Sequence, residues 1–317
     1  MPVNDQGGKF KMRFPWVRAA RLHLHATGFT PLLLGNIAAW YEQGYFSWSR
    51  FILSFLIGVL IHLISSFVND AADVSTDEAN ISRTPFSGGS GVVVDGQLSR
   101  SDLIKGASIA GILAVVLSCL MIFGLQVHWG VLLFVGWGIL SATEYSLPPV
   151  KLSYRGGGEF LVLVTYSVAL VWAGYFVQAG PVFSPLIWAL SAPIGFAIFS
   201  LITITQFPDL EADSKAGKRS LVIIFGVKQT LRIISLAVVL SIVSVIIFRL
   251  TGFIPIWAGA LSLLCLPLVF QLLKTIFRPK EEGIVLYTKI SQMALLLTLW
   301  LGLAPALGLL LDKWLRT

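Results

Sequence analysis

From residue 160 to residue 208 the chain runs 49 residues without one charged side chain. A helix needs about 20 consecutive apolar residues to cross the hydrocarbon core of a bilayer. This stretch alone therefore suffices for two crossings, with a natural break at Gly180-Pro181. Residues 106–143 are charge-free over 38 positions and break at Gln126-Val-His-Trp129, giving two more. Residues 22–41, 51–68, 233–248, 250–273 and 290–311 bring the expected total to nine. The expected fold is all-α, a multi-pass bundle of nine transmembrane helices. It forms a single domain over residues 1–317, of which 1–19 are a polar N-terminal segment. Composition removes the alternatives. Only 12% of residues are charged and 56% are hydrophobic, with a mean hydropathy of +0.82. Soluble domains carry about 25% charged residues, so a water-soluble enzyme is excluded, and so is a disordered chain.

The net charge is +7 and the pI about 9.5. In a soluble protein that balance would point to nucleic acid. Here topology accounts for it. With nine spans, 19 of the 23 basic residues fall on the side of the N-terminus, leaving only Arg50, Arg249, Lys313 and Arg316 opposite. Lys and Arg collect in cytoplasmic loops. The N-terminus is therefore expected in the cytoplasm and the C-terminus outside, in a bacterial or archaeal cytoplasmic membrane, with lipid rather than nucleic acid as partner. Cys119 and Cys265 lie inside apolar runs and read as packing residues, not as a disulfide or zinc framework. The first apolar run lacks a small-residue cleavage site, so no removable signal is expected. The sequence gives no indication of oligomeric state.

Two polar loops on the expected cytoplasmic side are long, residues 69–102 and 209–229, and each opens on an acidic cluster. If the second span runs on as helix, Asp70, Asp73 and Asp77 fall at i, i+3 and i+7, on one face, with Asn69 one turn from Asp73. Asp209 and Asp213, after the sixth span, are at i, i+4. Carboxylates gathered on one face repel, and some stay protonated unless a cation neutralises them. Oxygen-only ligands favour hard divalent ions, and Mg²⁺ takes one or two carboxylates, keeps waters and completes its shell with phosphate oxygens. Two such clusters facing each other would make a socket for a Mg²⁺-diphosphate, with the metal neutralising the charge on the leaving diphosphate. Capping of helix ends is the plainer reading of either cluster alone. An ion-coupled transporter is a third reading, although transport carboxylates lie nearer the midplane. The order of the clusters also suggests two related four-helix halves plus one extra helix.

With these motifs the chain resembles the UbiA superfamily of intramembrane prenyltransferases. Asn69-Asp70-x-x-Asp73-x-x-x-Asp77 is similar to that family's first acidic signature. Asp209-x-Glu211-x-Asp213-x-x-x-Gly217-Lys218-Arg219-Ser220-Leu221 is similar to its second. The branch most resembled acts on 1,4-dihydroxy-2-naphthoate in menaquinone synthesis. The supporting segments are Thr84-Pro-Phe-Ser-Gly88-Gly89-Ser90-Gly91 and Pro148-Pro149-x-Lys151-Leu-Ser-Tyr154-Arg155-Gly-Gly-Gly-Glu159. The chain departs from that branch at Thr205-Gln206, where Asn-Asp is usual. The resemblance implies Mg²⁺-dependent transfer of a polyprenyl group from an allylic diphosphate to an aromatic acceptor. It implies Asp70, Asp73, Asp77, Asp209 and Asp213 as metal ligands. Asn69, Arg83, Tyr145, Lys151, Arg155 and Lys218 would bind the diphosphate. Asp70, Asp73, Asp209 and Lys151 would carry the catalysis. Another acceptor, or terpene cyclisation, would use the same acidic site.

Other features are less specific. Gly88-Gly89-Ser90-Gly91 reads equally as an anion-binding nest or as a flexible loop. Tyr145 and Tyr154 read as phosphate or cation partners, or as interfacial tyrosines. His23, His25, His62 and His128 are scattered and read as packing or interface residues.

Overall fold

The computed structural model describes residues 3–4, 10–11, 14–80 and 84–316. Apart from a pair of two-residue strands, β1 (Val3–Asn4) and β2 (Phe10–Lys11), every regular element is helical. α1 (Pro15–Ala20) leads into α2 (His25–Gln43) and α3 (Trp48–Ala72), followed by the short α4 (Val74–Ala79). α5 (Arg100–Leu125) and α6 (Val131–Glu144) come next. Then α7 (Gly158–Val164), a π-helical turn (Thr165–Ala169) and α8 (Leu170–Ala179) form one continuous rod. α9 (Pro185–Ile204), α10 (Leu210–Lys215), α11 (Leu221–Leu250), α12 (Ile256–Leu263), α13 (Leu266–Phe277) and α14 (Gly283–Arg316) complete the chain.

Seven of the described helical segments are long and apolar enough to cross a membrane: Trp48–Ala72, Arg100–Leu125, Gly158–Ala179, Pro185–Ile204, Leu221–Leu250, Ile256–Phe277 and Gly283–Arg316. The expected nine is thus not reached on length and composition. The other two expected spans are helices of 19 and 14 residues, α2 and α6. At 1.5 Å per residue α6 is about 21 Å long, short of a hydrocarbon core of about 30 Å. The two expected breaks fall where the helices stop, α5 ending on Gln126 in the left-handed region (φ 53°) and α8 on Gly180 (φ 77°). The span expected from residue 250 instead begins at Ile256, because α11 runs on to Leu250.

Local chemistry sets the helix starts. The Ser47 hydroxyl accepts from the backbone of Arg50 at the head of α3, and Ser99 with Asp102 forms a reciprocal capping box on α5. Ser184 caps α9, with Pro185 at its first position. α9 is the central rod, with 78% of its apolar window buried inside the protein, against 22% for α5. Ile198 and Leu201 of α9 pack with Ile234 and Val238 of α11, Leu272 of α13 and Ile290 and Leu297 of α14. Helices α2 and α8 approach through glycine. A Cβ on Gly35 would lie 2.0 Å from the Val171 carbonyl oxygen, and one on Gly174 would lie 2.2 Å from that of Leu32. Lipid supplies no hydrophobic drive for helix association, so close backbone packing of small residues does this work.

Candidate active site

The second and sixth expected spans, α3 and α9, each end in a break followed by a short helix, α4 and α10, and those two short helices touch. The i→i−4 ladder carries on through the first break and resumes after the second. Asp73 donates its backbone N–H to Asn69 O at 3.0 Å, Asp77 to Asp73 O at 2.8 Å, and Asp213 to Asp209 O at 2.8 Å. Four of the five expected carboxylates come together. Asp73, Asp77, Asp209 and Asp213 line one cavity of about 330 Å³, together with Asn69, Tyr145 and Lys218. Both clusters lie at the same end of the bundle. Asp70 stands just behind this rim, 2% exposed.

Each carboxylate is held. Asp70 accepts from Arg21 Nη2 at 2.8 Å, from the Ser90 backbone N–H at 3.1 Å and from the Ser90 hydroxyl. Asp73 accepts from Asn69 Nδ2 at 2.9 Å, Tyr154 OH at 3.0 Å and Lys218 Nζ at 3.1 Å. The same ammonium lies 3.0 Å from Asp213, so Lys218 bridges the two acidic segments. Asp209 accepts from Asn80 Nδ2 at 2.6 Å and from the Gly88 backbone at 3.1 Å. Asp77 packs against Gly89, which has φ +65° and no room for a side chain: a Cβ there would lie 1.9 Å from Asp77 Oδ2. The glycine-rich loop thus gives one amide to each of two carboxylates, Gly88 to Asp209 and Ser90 to Asp70.

Electrostatics follow from this crowding. Burial pushes the Asp213 carboxyl up to about 6 against the pull of Lys218, and burial raises Asp209 as well. Burial alone would depress the Lys218 ammonium. Asp73 and Asp213 beside it outweigh that and raise it above the ordinary lysine value. Burial also raises the Tyr145 and Tyr154 phenols, so both stay protonated and able to donate.

The rim suits a hard divalent cation. Besides the carboxylates it presents oxygens that are buried and make no hydrogen bond: Gln206 Oε1, Ser153 Oγ and Ser220 Oγ. Gln206 thus offers a neutral oxygen where the resembling branch has an acid. Among the described residues no three His, Cys, Asp or Glu side chains form a ready-made metal cage. A Mg²⁺ ion that keeps waters and shares phosphate oxygens does not need one.

Not every expected ligand reaches the cavity. Lys151 and Arg155 are absent from its lining. The Lys151 ammonium lies 3.4 Å over the ring of Tyr154, a cation–π contact, and it is the Tyr154 hydroxyl that reaches Asp73. Arg155 and Arg219 are exposed. Arg83 lies outside the described residues. Residues that the sequence did not reveal are Arg21 and Asn80, partners of Asp70 and Asp209. Glu159 is 1% exposed and accepts from Leu221 N at 2.8 Å, capping α11 and fixing the segment that carries Lys218. Arg21 and Asn80 have no local signature, since each meets its partner through the fold.

Below the rim the cavity becomes apolar. Phe29, Phe55, Phe134, Met121 and Val177 line it towards the far end of the bundle. From Asp73 back to Ser54, both on its wall, α3 and its C-terminal cap span 19 residues, about 28 Å at 1.5 Å per residue. The site therefore joins a polar, oxygen-rich head to a hydrophobic tunnel, and the two together run nearly the thickness of a bilayer core.

Known proteins share this fold. The profile of the UbiA prenyltransferase family matches residues 29–296. The 1,4-dihydroxy-2-naphthoate octaprenyltransferase of Escherichia coli (strain K12) is 24% identical over 303 residues, covering 94% of this chain and 96% of that protein. The 2-carboxy-1,4-naphthoquinone phytyltransferase of Synechocystis is 25% identical over 263 residues, covering 82% and 81%. The structure of a UbiA homolog from Archaeoglobus fulgidus bound to GPP and Mg²⁺ superposes with a TM-score of 0.66 at 15% identity, over 92% of this chain and 99% of that one. The apo structure of a UbiA homolog from Aeropyrum pernix K1 gives 0.67 at 13% identity, over 90% and 97%. Fold, profile and relatives agree: the chain belongs to the UbiA prenyltransferase family and is a prenyltransferase.

Proposed function

We propose that this enzyme transfers a polyprenyl group from an allylic diphosphate to an aromatic acceptor, with 1,4-dihydroxy-2-naphthoate the favoured acceptor, in a Mg²⁺-dependent reaction. The observation that carries the reading is the single cavity in which two acidic segments and Lys218 form one end and an apolar tunnel the other. Names of relatives that act on naphthoate and naphthoquinone rings support the acceptor class.

In this reading Asp70, Asp73, Asp77, Asp209 and Asp213 hold the metal, which when bound neutralises charge on the departing diphosphate. Lys218, Asn69 and Tyr145 supply donors to phosphate oxygens, as charge-assisted hydrogen bonds favour. The tunnel takes the prenyl chain and excludes water, so that an allylic cation meets a ring carbon before it meets solvent. The topology that fits is nine spans, with α2 and α6 as the two short ones. The N-terminus and acidic rim are cytoplasmic and the C-terminus is outside, in a bacterial or archaeal cytoplasmic membrane, with residues 1–317 as one domain. The test is turnover by purified protein in detergent, with Mg²⁺, a polyprenyl diphosphate and 1,4-dihydroxy-2-naphthoate. A prenylated naphthoquinol seen by mass spectrometry, and abolished by EDTA, supports the reading. Diphosphate release without that adduct removes the acceptor, and no consumption of prenyl diphosphate removes the reaction.

A further inference from the structure

We infer that the imidazole pair His25–His62, set in the cavity wall beneath the acidic rim, binds a hydroxyl-bearing aromatic ring, and that His25 Nδ1 accepts the hydroxyl proton. The inference rests on the transferase reading above and names the atoms that would receive its acceptor.

The two rings are 37 residues apart in sequence, yet their centroids lie 4.2 Å apart with planes tilted by 42°. Both line the cavity that the acidic rim opens. The geometry fixes the tautomer of His25. Its Nε2 lies 3.0 Å from the Ala20 carbonyl, an oxygen that can only accept, so Nε2 carries the hydrogen. Nδ1 of the neutral ring is then a bare lone pair, with no hydrogen bond to any of the described residues. The two rings are in contact, and His25 follows Arg21 by four residues in the chain. His62 is held from its other side, with Nε2 lying 3.3 Å from the Tyr166 hydroxyl. Its Nδ1 is buried without any partner. An orphaned polar atom inside a protein is uncommon and calls for a cause. Tyr166 itself sits on the π-helical turn Thr165–Ala169. Such turns are inserted into helices mostly at functional sites, and this one brings the phenol onto the cavity wall.

Placement points to the acceptor rather than to the prenyl tail. His25 follows Arg21, whose guanidinium holds Asp70. His62 precedes Asn69 by seven residues on α3, about 10 Å along the helix, which leaves room for a fused bicyclic ring between imidazoles and rim. Below the pair the wall turns to Phe29, Phe55 and Phe134. A prenyl chain asks for no hydrogen-bond acceptor, whereas a phenol does.

The step balances. The acceptor O–H proton passes to His25 Nδ1, and the oxygen electron pair pushes into the ring. The ring carbon forms a bond to the allylic carbon, whose bond to oxygen breaks with both electrons leaving on diphosphate. The substituted carbon then loses its proton to diphosphate or, where it bears a carboxylate, loses CO₂. The electrons restore aromaticity and His25 returns the proton to the oxygen. His62 and Tyr166 are positioning residues.

The experiment uses the full chain in detergent with two binding readouts on the same preparation. Geranyl thiolodiphosphate with Mg²⁺ probes the rim, and 1,4-dihydroxy-2-naphthoate alone probes the pair. His25→Phe keeps a ring but loses the lone pair. It is expected to bind the thiolodiphosphate as the parent does, while naphthoate binding weakens and its KM rises about tenfold, the equivalent of 1.4 kcal/mol. His25→Asn can return an oxygen to the position of Nδ1 and should recover part of the loss. His62→Leu provides a second variant should His25→Phe fail to fold, and should show the same split. Unchanged naphthoate binding in folded His25→Phe overturns the inference. A parent protein that binds no thiolodiphosphate overturns the transferase reading instead.

Discussion

Lys218→Met removes the one ammonium that bridges the two acidic segments while keeping the length of the side chain. Nζ contacts Asp73 at 3.1 Å and Asp213 at 3.0 Å, and the three side chains are 12%, 5% and 8% exposed. Removing one partner of a buried ion pair costs about 3–5 kcal/mol, because the remaining charge is left without compensation. In a chain of this size 1 kcal/mol shifts Tm by about 2 °C, so the variant should unfold about 6–10 °C lower without divalent metal. The two carboxylates it leaves behind are a better cation site than before, since no ammonium competes for them. Saturating Mg²⁺ at about 100 times its Kd stabilises by about 2.7 kcal/mol. The Mg²⁺-induced rise in Tm should be larger in the variant than in the parent at any subsaturating concentration. The assay is thermal unfolding in detergent over a Mg²⁺ titration, with and without EDTA. Equal Mg²⁺ shifts in the two proteins, or no loss of stability in EDTA, would refute the account of Lys218 as an internal counter-ion on metal ligands.

Three further perturbations separate the parts of the site. Asp70→Asn should abolish prenyl diphosphate turnover with the helical circular dichroism spectrum intact, and normal turnover would remove Asp70 from the metal set. Ser90→Ala takes the hydroxyl from Asp70, and loss of such an outer partner lowers metal affinity about 10–100-fold. The Mg²⁺ concentration for half-maximal rate should rise accordingly, and an unchanged titration would contradict the placement of Asp70. Gly35→Val pushes a side chain into the Val171 carbonyl, and overpacking of this kind costs about 1–3 kcal/mol. Tm should fall while Mg²⁺ dependence stays as it was.

Much of the site was legible because its ligands are local to two segments. Asp73 and Asp77 line one cavity as their spacing suggests, as do Asp209 and Asp213, while Asp70, expected on the same face, is turned behind the rim onto Arg21 and Ser90. Charge-free runs mark the helices that carry them. What spacing could not give is anything formed across segments. Arg21 looked like one more cytoplasmic positive charge, yet it holds Asp70. His25 and His62 read as scattered packing residues because nothing in either helix announces the other. Lys151 carried the resemblance to the family, while the fold turned its ammonium onto Tyr154 and gave the rim to Lys218. The count of nine spans assumed that a polar break separates full-length helices, and α6 with 14 residues shows that one can be much shorter.

The loop Gly88-Gly89-Ser90 also acts as a ruler. Its amides grip one carboxylate from each acidic segment, Asp209 through Gly88 and Asp70 through Ser90. Two residues of chain reach at most about 7 Å, so the gap between the jaws of the site is set by the length of this loop and not by helix packing alone. A single inserted residue would open the jaws without touching any ligand. Those two amide protons, slow to exchange while both carboxylates are seated, make a gauge of the gap that can be read by mass spectrometry.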